Sequence, residues 1–415
     1  MTVSGIIICS TCGHKIRLRH QVGYVYPVVV KIACNKCGKL IKGQVNLADQ
    51  MSVLFEFPNE TVSKDYEETS QTVSISTELP IALKESNIQF PVALTPFMGI
   101  GSIIGFEIIH EYEKNIKQFI ALYDSKFQRL QTCFELFESR NWEYYLIETK
   151  KHFRSNISID IKSFEGCSTV LKEVNKDFFK FLETPYYQLN FNQKLQAETI
   201  GKVTGNIIEL KNLRTLIETY INIETEFIKG VKLIDNFLKN VKSFFPVVVL
   251  SYTNDYNKEY LDDIGLTTFE FLDLKEMYIE QFEFLSRISA LYFGLVNLAE
   301  RNNFDDFGTI RECNQLSAYF AKNNGIKKDI IKKHNFLNDY FIDTLNSHLR
   351  NGIGHLKTIY DPKTQLIKYF PFTNPARMNT HKEIYLIDFA VQVFAQALKV
   401  RDSLEILCKF INLTK

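Results

Sequence analysis

From residue 103 onward, apolar residues recur every three or four positions through long stretches of the chain. This spacing places them on one face of an α-helix and therefore predicts amphipathic helices. The stretch from "GFEIIHEYEKN" to "ETKKHF" and the stretch from "GNIIELKNLR" to "VKSFF" both keep the pattern over many turns. Their length is typical of helical bundles or coiled-coil arms, which often mediate dimerisation. The pattern predicts a mainly α protein.

Strand-like patterns are confined to the N-terminal quarter of the chain and to one short segment near its end. The runs "KIRLRH" and "YVYPVVVKIA" predict two strands between residues 15 and 33. Residues 45–96 predict further extended structure, with "SVLFEFP" and "TVSISTELPIAL" separated by polar loops. Near the C-terminus, "TIY" and "LIKY" flank Asp361 and Pro362, which suit a type I turn. This segment predicts a short β-hairpin between helices.

The composition is that of an ordinary globular protein, long enough at 415 residues for two or three domains. Lys and Arg (49) nearly balance Asp and Glu (48), so any attraction to nucleic acid must be local. No apolar run reaches the 18–20 residues of a membrane span. The N-terminus also lacks the pattern of a signal peptide. We therefore expect a cytoplasmic protein without a membrane partner.

Four cysteines form two C-x2-C motifs separated by 21 residues: Cys9, Cys12, Cys34 and Cys37. Four thiolates at this spacing suit tetrahedral Zn²⁺, which would have a structural role. A glycine follows each motif, where the chain must turn tightly around a metal. The pattern looks like a zinc ribbon, with an iron–sulfur or redox-active pair as the alternative. The remaining cysteines lie within helical patterns, which is typical of core thiols in a reducing compartment.

The first 44 residues contain no acidic side chain but carry seven cations. Against a zinc–thiolate centre of charge minus two, they leave an excess of about five positive charges, which would attract a phosphate backbone. We predict nucleic-acid contact through six of them: Lys15, Arg17, Arg19, Lys31, Lys36 and Lys39. Lys42 is the seventh. The alternatives are a solvated face around a structural metal and docking of the ribbon onto a protein.

The segment "SHLRNGIGHLKTIYDPKTQLIKYF", residues 347–370, combines Arg350 and His355 with two glycines, Gly352 and Gly354. On a regular helix, residues five apart point about 140° away from each other, so the pair would not share a target. A helix that ends or bends near the glycines could bring the two side chains together. Otherwise, each could reach a shared site from a different place.

The segment and its surroundings resemble the HEPN superfamily. Those domains are helical bundles with an R-x4–6-H motif and a polar residue after the arginine. Arg350, Asn351 and His355 match that motif. A helix before the motif, a hairpin after it and the closing helix "KEIYLIDFAVQVFAQALKVRDSLEILCKFINL" are also similar, so the resemblance covers about residues 250–415. It implies a metal-independent endoribonuclease with paired motifs at a dimer interface. Many relatives act as toxins or in abortive infection and antiviral defence.

The motif residues suit RNA cleavage by the RNA's own 2′-hydroxyl, which would leave a 2′,3′-cyclic phosphate. Histidine can act as general base or acid near neutral pH, and arginine can stabilise the charge that develops on the phosphate. Asn351 could bind the phosphate or orient the histidine. Because each chain has one such histidine, a two-fold dimer would supply both base and acid. The alternative is structural: Arg350 caps the preceding helix and His355 is half-buried beside the hairpin.

Together these observations predict four consecutive domains. They are a zinc ribbon (1–45), a β-containing connector (46–100), a helical middle region for dimerisation or sensing (101–245) and a HEPN-like domain (246–415). The predicted function is an RNA-cleaving effector whose ribbon contacts nucleic acid or a triggering protein. Two alternatives remain: a non-catalytic nucleic-acid-binding or sensor protein, and a structural subunit that uses the bundle to oligomerise.

Overall fold

The computed structural model describes residues 2–48, 52–63, 71–83, 95–153, 162–182, 199–252, 264–341, 344–354, 358–372 and 380–415. The chain is mainly α with several small sheets, as predicted. It forms two compact units, each assembled from three separate stretches of sequence. The first comprises Met1–Ile120, Lys239–Glu276 and Gly352–Phe394, and the second Ala121–Leu238, Met277–Asn351 and Ala395–Lys415. The division into four consecutive domains remains a prediction.

All of the described strands belong to the first unit. They are β1 Thr2–Ile8, β2 Lys15–Gln21, β3 Val28–Ala33, β4 Leu40–Leu47, β5 Val53–Glu56, β6 Thr61–Ser63, β7 Gln71–Ile75, β8 Ile81–Ala82, β9 Ile264–Gly265, β10 Thr358–Asp361, β11 Leu366–Tyr369 and β12 Lys382–Tyr385. One sheet has the order β6-β1-β2-β7 and another the order β3-β4-β5. A third has the order β10-β11-β12, and β8 pairs with β9.

The two N-terminal sheets share a core of apolar side chains. In β2, Ile16 and Leu18 are buried, whereas Lys15, Arg17 and Arg19, which alternate with them, are only half-buried. Successive side chains of a strand point to opposite faces of its sheet, so this alternation gives the sheet one apolar and one polar face. Val28 and Val30 of β3 and Ile41 of β4 complete the same buried cluster. The core therefore lies directly beside the cysteine motifs.

The helices account for most of the remaining described chain. They are α1 Pro96–Ile104, α2 Phe106–Glu138, α3 Trp142–Phe153, α4 Phe164–Lys180, α5 Gly201–Val203, α6 Ile207–Glu218, α7 Ile223–Lys239, α8 Phe245–Val248, α9 Phe271–Arg301, α10 Leu316–Phe320, α11 Asn324–Lys332, α12 Asn335–Phe341, α13 Ser347–Gly354 and α14 Leu386–Leu413. Within the second unit, buried Tyr292 of α9 hydrogen-bonds Ser403 of α14 and Tyr340 of α12, each at 3.1 Å. No described helix is both long and apolar enough to cross a membrane.

The sequence from "IKKDIIKKH" to "NSHLR" predicts one helix, but the structure has three, α11 to α13. The reason is that polar side chains inside this stretch cap new helices. The ring of His334 accepts a hydrogen bond from the backbone N–H of Leu337, and Asn346 accepts one from Leu349. Residues that bond backbone N–H groups in this way favour helix starts over helix interiors. The predicted single helix was therefore wrong.

The hairpin at "TIYDPKTQLIKY" is confirmed as β10 and β11, which pair antiparallel. A third strand, β12, was not expected, because "KEIY" continues the apolar stripe of the closing helix. In the structure these four residues pair with β11, and the helix begins only at Leu386. The second edge of β11 thus gains hydrogen-bond partners, and this pairing overrides the local helical pattern.

Candidate metal centre and candidate catalytic motif

The four cysteines of the two C-x2-C motifs come together in the first unit. Cys9 and Cys12 lie in the turn between β1 and β2, and Cys34 and Cys37 lie in the turn between β3 and β4. All four sulfur atoms lie within 4.8 Å of one another. The distance between the Sγ atoms is 3.7 Å for Cys9 and Cys37 and 3.6 Å for Cys12 and Cys34. The cluster could therefore bind a metal ion.

These sulfur separations allow a direct geometric test. A disulfide requires about 2.05 Å between its sulfur atoms, so neither close pair is a disulfide. A tetrahedron with metal–sulfur bonds of about 2.3 Å has edges of about 3.8 Å, close to the separations of both pairs. A hydrogen bond from the backbone of Lys39 lowers the pKa of the Cys37 thiol to about 7, whereas, despite a hydrogen bond from the backbone of His14, burial and the neighbouring thiols raise the pKa of Cys12. The thiolate, which is the metal-binding form, is therefore favoured at Cys37.

Each cysteine pair is held by a tight turn of the same construction. The N–H of Gly13 donates to the carbonyl of Cys9, and that of Gly38 donates to the carbonyl of Cys34, both at 2.8 Å. The two glycines have φ angles of +65° and +77°. Side chains are disfavoured at such angles, so a glycine suits the end of each turn. The two turns therefore curve the chain around the sulfur cluster in the same way.

Among the described residues, the N-terminal cations Lys31, Lys39 and Lys42 form ion pairs with acids from elsewhere in the first unit. Lys31 Nζ lies 2.5 Å from Asp273, and Lys39 Nζ lies 2.6 Å from Glu60. Lys42 pairs with Glu270. The first 44 residues contain no acid, but the fold supplies these three. The excess of positive charge around the cysteine centre is therefore smaller than the sequence alone indicates.

The other four residues predicted to contact nucleic acid lie in two places, on strand β2 and in the second cysteine turn. Lys15, Arg17 and Arg19 alternate along β2 on its half-buried polar face. Their neighbours in register include hydroxyl side chains, since Arg17 lies opposite Thr72 and Arg19 opposite Ser74. Lys36 is exposed in the second cysteine turn. The structure thus brings three of the predicted cations onto one sheet face and leaves nucleic-acid contact a prediction.

Arg350, on α13 in the second unit, is oriented by an acidic residue that the sequence analysis did not identify. Its Nε and Nη2 atoms lie 2.8 Å and 2.7 Å from Oε1 of Glu283 on α9. The amide of Asn324 reaches the same oxygen at 3.4 Å. The two charged side chains are 25% and 31% exposed, so the pair faces solvent in part. Glu283 precedes Arg350 by 67 residues, and no local spacing signals their contact.

The rest of the motif is described only in part. Asn351 is half-buried on α13 directly after Arg350, and the helix continues through Gly354. His355, the predicted general acid or base, lies outside the described residues, so its distance from Arg350 remains untested. The predicted bend that would bring the two together is untested for the same reason.

Gly352 has a packing role that the sequence analysis did not predict. A Cβ atom at this position would lie 2.7 Å from Cδ2 and 2.8 Å from Cβ of Tyr369 on β11. Cβ contacts shorter than about 3 Å require the surroundings to move. The glycine therefore allows the end of α13 to pack closely against the hairpin within the first unit.

Comparisons with known proteins found no matching family model, no matching curated protein and no matching solved structure.

Proposed function

We propose that this protein is a metal-independent endoribonuclease of the HEPN type with a structural zinc ribbon at its N-terminus. The observation that carries the proposal is the setting of Arg350. Its guanidinium is partly exposed, lies on the helix of the R-x4-H motif and is held along one edge by Glu283. An arginine with a fixed, accessible fork of donors suits a phosphate group. The hairpin that follows this helix and the closing helix α14 agree with the same proposal.

In the proposed reaction, Arg350 binds the scissile phosphate and stabilises the charge that develops on its oxygen atoms. His355 moves a proton, either from the attacking 2′-hydroxyl or to the leaving 5′-oxygen. Asn351 donates a hydrogen bond to the phosphate or orients the histidine. A homodimer with two motifs facing one cleft would supply the second histidine. The expected products carry 2′,3′-cyclic phosphate ends, and the proposed setting is that of a toxin or an antiviral defence effector.

Zinc is the metal that we propose for the four cysteines. Four thiolate ligands favour zinc over harder cations, and the sulfur separations suit zinc–sulfur bonds. The bound ion would supply no redox chemistry, because Zn²⁺ has a filled d shell, and no Lewis-acid chemistry, because all four positions would be taken by protein ligands. Its role would be to hold the β1–β2 and β3–β4 turns together. The cations on β2 would then contact RNA or a triggering partner.

The test of the nuclease proposal is cleavage of a mixed RNA pool in magnesium-free buffer. Zinc-loaded wild-type protein would be compared with His355→Ala and with His381→Ala. His381 is a suitable control because it is partly exposed, pairs with Glu383 at 3.3 Å and lies outside the motif. We expect wild type and His381→Ala to cleave, leaving 2′,3′-cyclic ends, and His355→Ala to be inactive. Equal cleavage by His355→Ala would refute the assignment.

The ion pair between Arg350 and Glu283 also favours a second candidate function. A guanidinium paired with a carboxylate can simply join α13 to α9 within a helical bundle. The protein would then be a non-catalytic nucleic-acid-binding, sensor or oligomerisation protein. Salt-dependent RNA binding without any product would identify the binding form of this alternative.

Contact between RNA and the ribbon has its own test. The logarithm of RNA affinity decreases with the logarithm of salt concentration. In the variant Arg17→Ala/Arg19→Ala, we expect this dependence to be less steep by about 1.4 for single-stranded RNA, because two phosphate contacts are lost. Lys31→Ala should leave the slope unchanged, since Asp273 already neutralises Lys31. An unchanged slope in the double variant would place RNA binding elsewhere.

A further inference from the structure

Within the first unit, the second cysteine turn contacts the hairpin that follows the R-x4-H motif. The ammonium group of Lys363, in the turn between β10 and β11, donates to the backbone carbonyl of Asn35 at 2.7 Å. Asn35 lies between Cys34 and Cys37. The Cε atom of Lys363 also passes Gly38, where it would lie 3.6 Å from an added Cβ. Lys363 therefore joins the hairpin to the second cysteine turn.

The hairpin turn that carries this lysine is tightly defined. The carboxylate of Asp361 accepts hydrogen bonds from the N–H of Lys363 at 3.0 Å and from the hydroxyl of Thr364 at 2.8 Å. Gln365, which is only 6% exposed, exchanges two hydrogen bonds with the backbone of Leu266, at 2.9 Å and 2.6 Å. A rigid turn can transmit the position of its tip to the strands that it joins.

Those strands reach the motif helix. Tyr369, at the end of β11, packs directly on Gly352 of α13, where no space remains for a side chain. A continuous series of contacts therefore runs from Cys34–Cys37 through Lys363 and the hairpin to Gly352. Every member of this series belongs to the first unit.

Within the first unit, the ribbon also contacts the start of α9 and the residues just before it. The N–H of Lys31 donates to the carbonyl of Thr267 at 2.7 Å, and the Lys31 side chain pairs with Asp273. Asp273 in turn accepts a hydrogen bond from the N–H of Glu270, the partner of Lys42. The strands on either side of the second cysteine turn are thus tied to the start of α9 within the first unit.

We propose that metal binding at the four cysteines controls the order of the hairpin Thr358–Tyr369, and that the contact between Lys363 and Asn35 is the connection. With metal bound, the carbonyl of Asn35 has a fixed position and Lys363 holds the hairpin against it. Without metal, the two cysteine turns lose the link through their thiolates and keep the hydrogen bonds of Lys39 to Ser10 and Glu60. The carbonyl of Asn35 is then less firmly held, and the anchor of the hairpin weakens. The inference rests on the proposed metal binding, but not on the nuclease proposal.

Hydrogen exchange measured by mass spectrometry on the full chain tests this connection. Four samples would be compared: wild type with zinc, wild type after chelation, and zinc-loaded Lys363→Ala and Lys368→Ala. Lys368 is a matched control because it lies on the same hairpin but pairs with Glu383 at 3.1 Å. Peptides from the hairpin and from the cysteine turns would be followed, with peptides from α7 in the second unit as a reference.

We expect hairpin amides to exchange about fivefold faster in Lys363→Ala than in Lys368→Ala, as the loss of one hydrogen bond predicts. The zinc content and the exchange of the cysteine turns should be the same in both variants. Chelation of the wild type should accelerate exchange in the hairpin, while the α7 peptides stay protected. If chelation also accelerates exchange in α7, it has unfolded more than the hairpin. The comparison of zinc-loaded Lys363→Ala with zinc-loaded Lys368→Ala then tests the connection by itself.

Two contrary results are distinguishable. If Lys363→Ala and Lys368→Ala each bind one zinc per chain and show identical hairpin exchange, the connection through Lys363 is overturned while the metal proposal stands. A wild-type protein that binds no zinc after loading would instead overturn the metal proposal, and the connection with it.

Discussion

The substitution Gly352→Ala tests whether the glycine of the motif serves close packing or flexibility. If the glycine mainly loosens the end of α13, alanine should stabilise the helix, because it favours helices by about 1 kcal/mol over glycine. The structure predicts the opposite. The new methyl group would lie 2.7 Å from Cδ2 and 2.8 Å from Cβ of Tyr369. The Cβ atom is attached to the backbone of β11 and cannot move away by a rotamer change.

The magnitude follows from these two opposing contributions. Forcing an extra methyl group into a packed site costs about 1–3 kcal/mol, and the upper half of this range applies where a strand backbone must shift. The gain in helix propensity offsets about 1 kcal/mol of that cost. We therefore expect the free energy of unfolding to fall by about 1–2 kcal/mol.

The assay is chemical denaturation of wild type, Gly352→Ala and the control Gly99→Ala. Gly99 is also a helical glycine of the first unit, but an added Cβ there would meet no atom within 4 Å. The control should be unchanged or more stable by up to about 1 kcal/mol. If Gly352→Ala is as stable as Gly99→Ala, the close contact between α13 and β11 is refuted.

Three further predictions concern other groups. Glu283→Gln should lower RNA cleavage about tenfold or more, since the guanidinium of Arg350 loses its charged partner. Because the pair is partly exposed, the free energy of unfolding should change by less than about 1 kcal/mol. Unaltered cleavage would count against the role of Glu283 in orienting Arg350. Cys34→Ser should abolish zinc binding and lower the unfolding temperature, measured by metal analysis and calorimetry, whereas full zinc content would contradict a four-cysteine site. Burial raises the pKa of the Glu78 carboxyl from 4.5 to about 6. The folded state therefore binds the proton more tightly than the unfolded state, so stability should fall by about 2 kcal/mol as pH rises from about 4.5 to 6, and Glu78→Gln should remove this slope in pH-dependent denaturation.

Local spacing accounts for what the sequence predicted well. The two C-x2-C motifs, with strands on either side, define turns that need only nearby residues and a glycine with positive φ, and the structure has them at Gly13 and Gly38. The hairpin around Asp361 and the long helices α2 and α9 follow from periodicity in the same way. Boundaries were less predictable, because caps such as His334 and the pairing of β12 with β11 depend on side-chain contacts that compete with the apolar pattern.

Contacts between distant segments were decided by the tertiary structure alone. The first 44 residues contain seven cations and no acid, yet Glu60, Glu270 and Asp273 neutralise three of them. Glu283 orients Arg350 from another helix, and Tyr369 leaves no room beside Gly352. Ion pairing and packing depend on distances in space, over a few ångströms, and separation along the chain does not report those distances. The sequence thus identified the candidate residues, and the fold determined which of their charges are neutralised and which neighbours hold them in place.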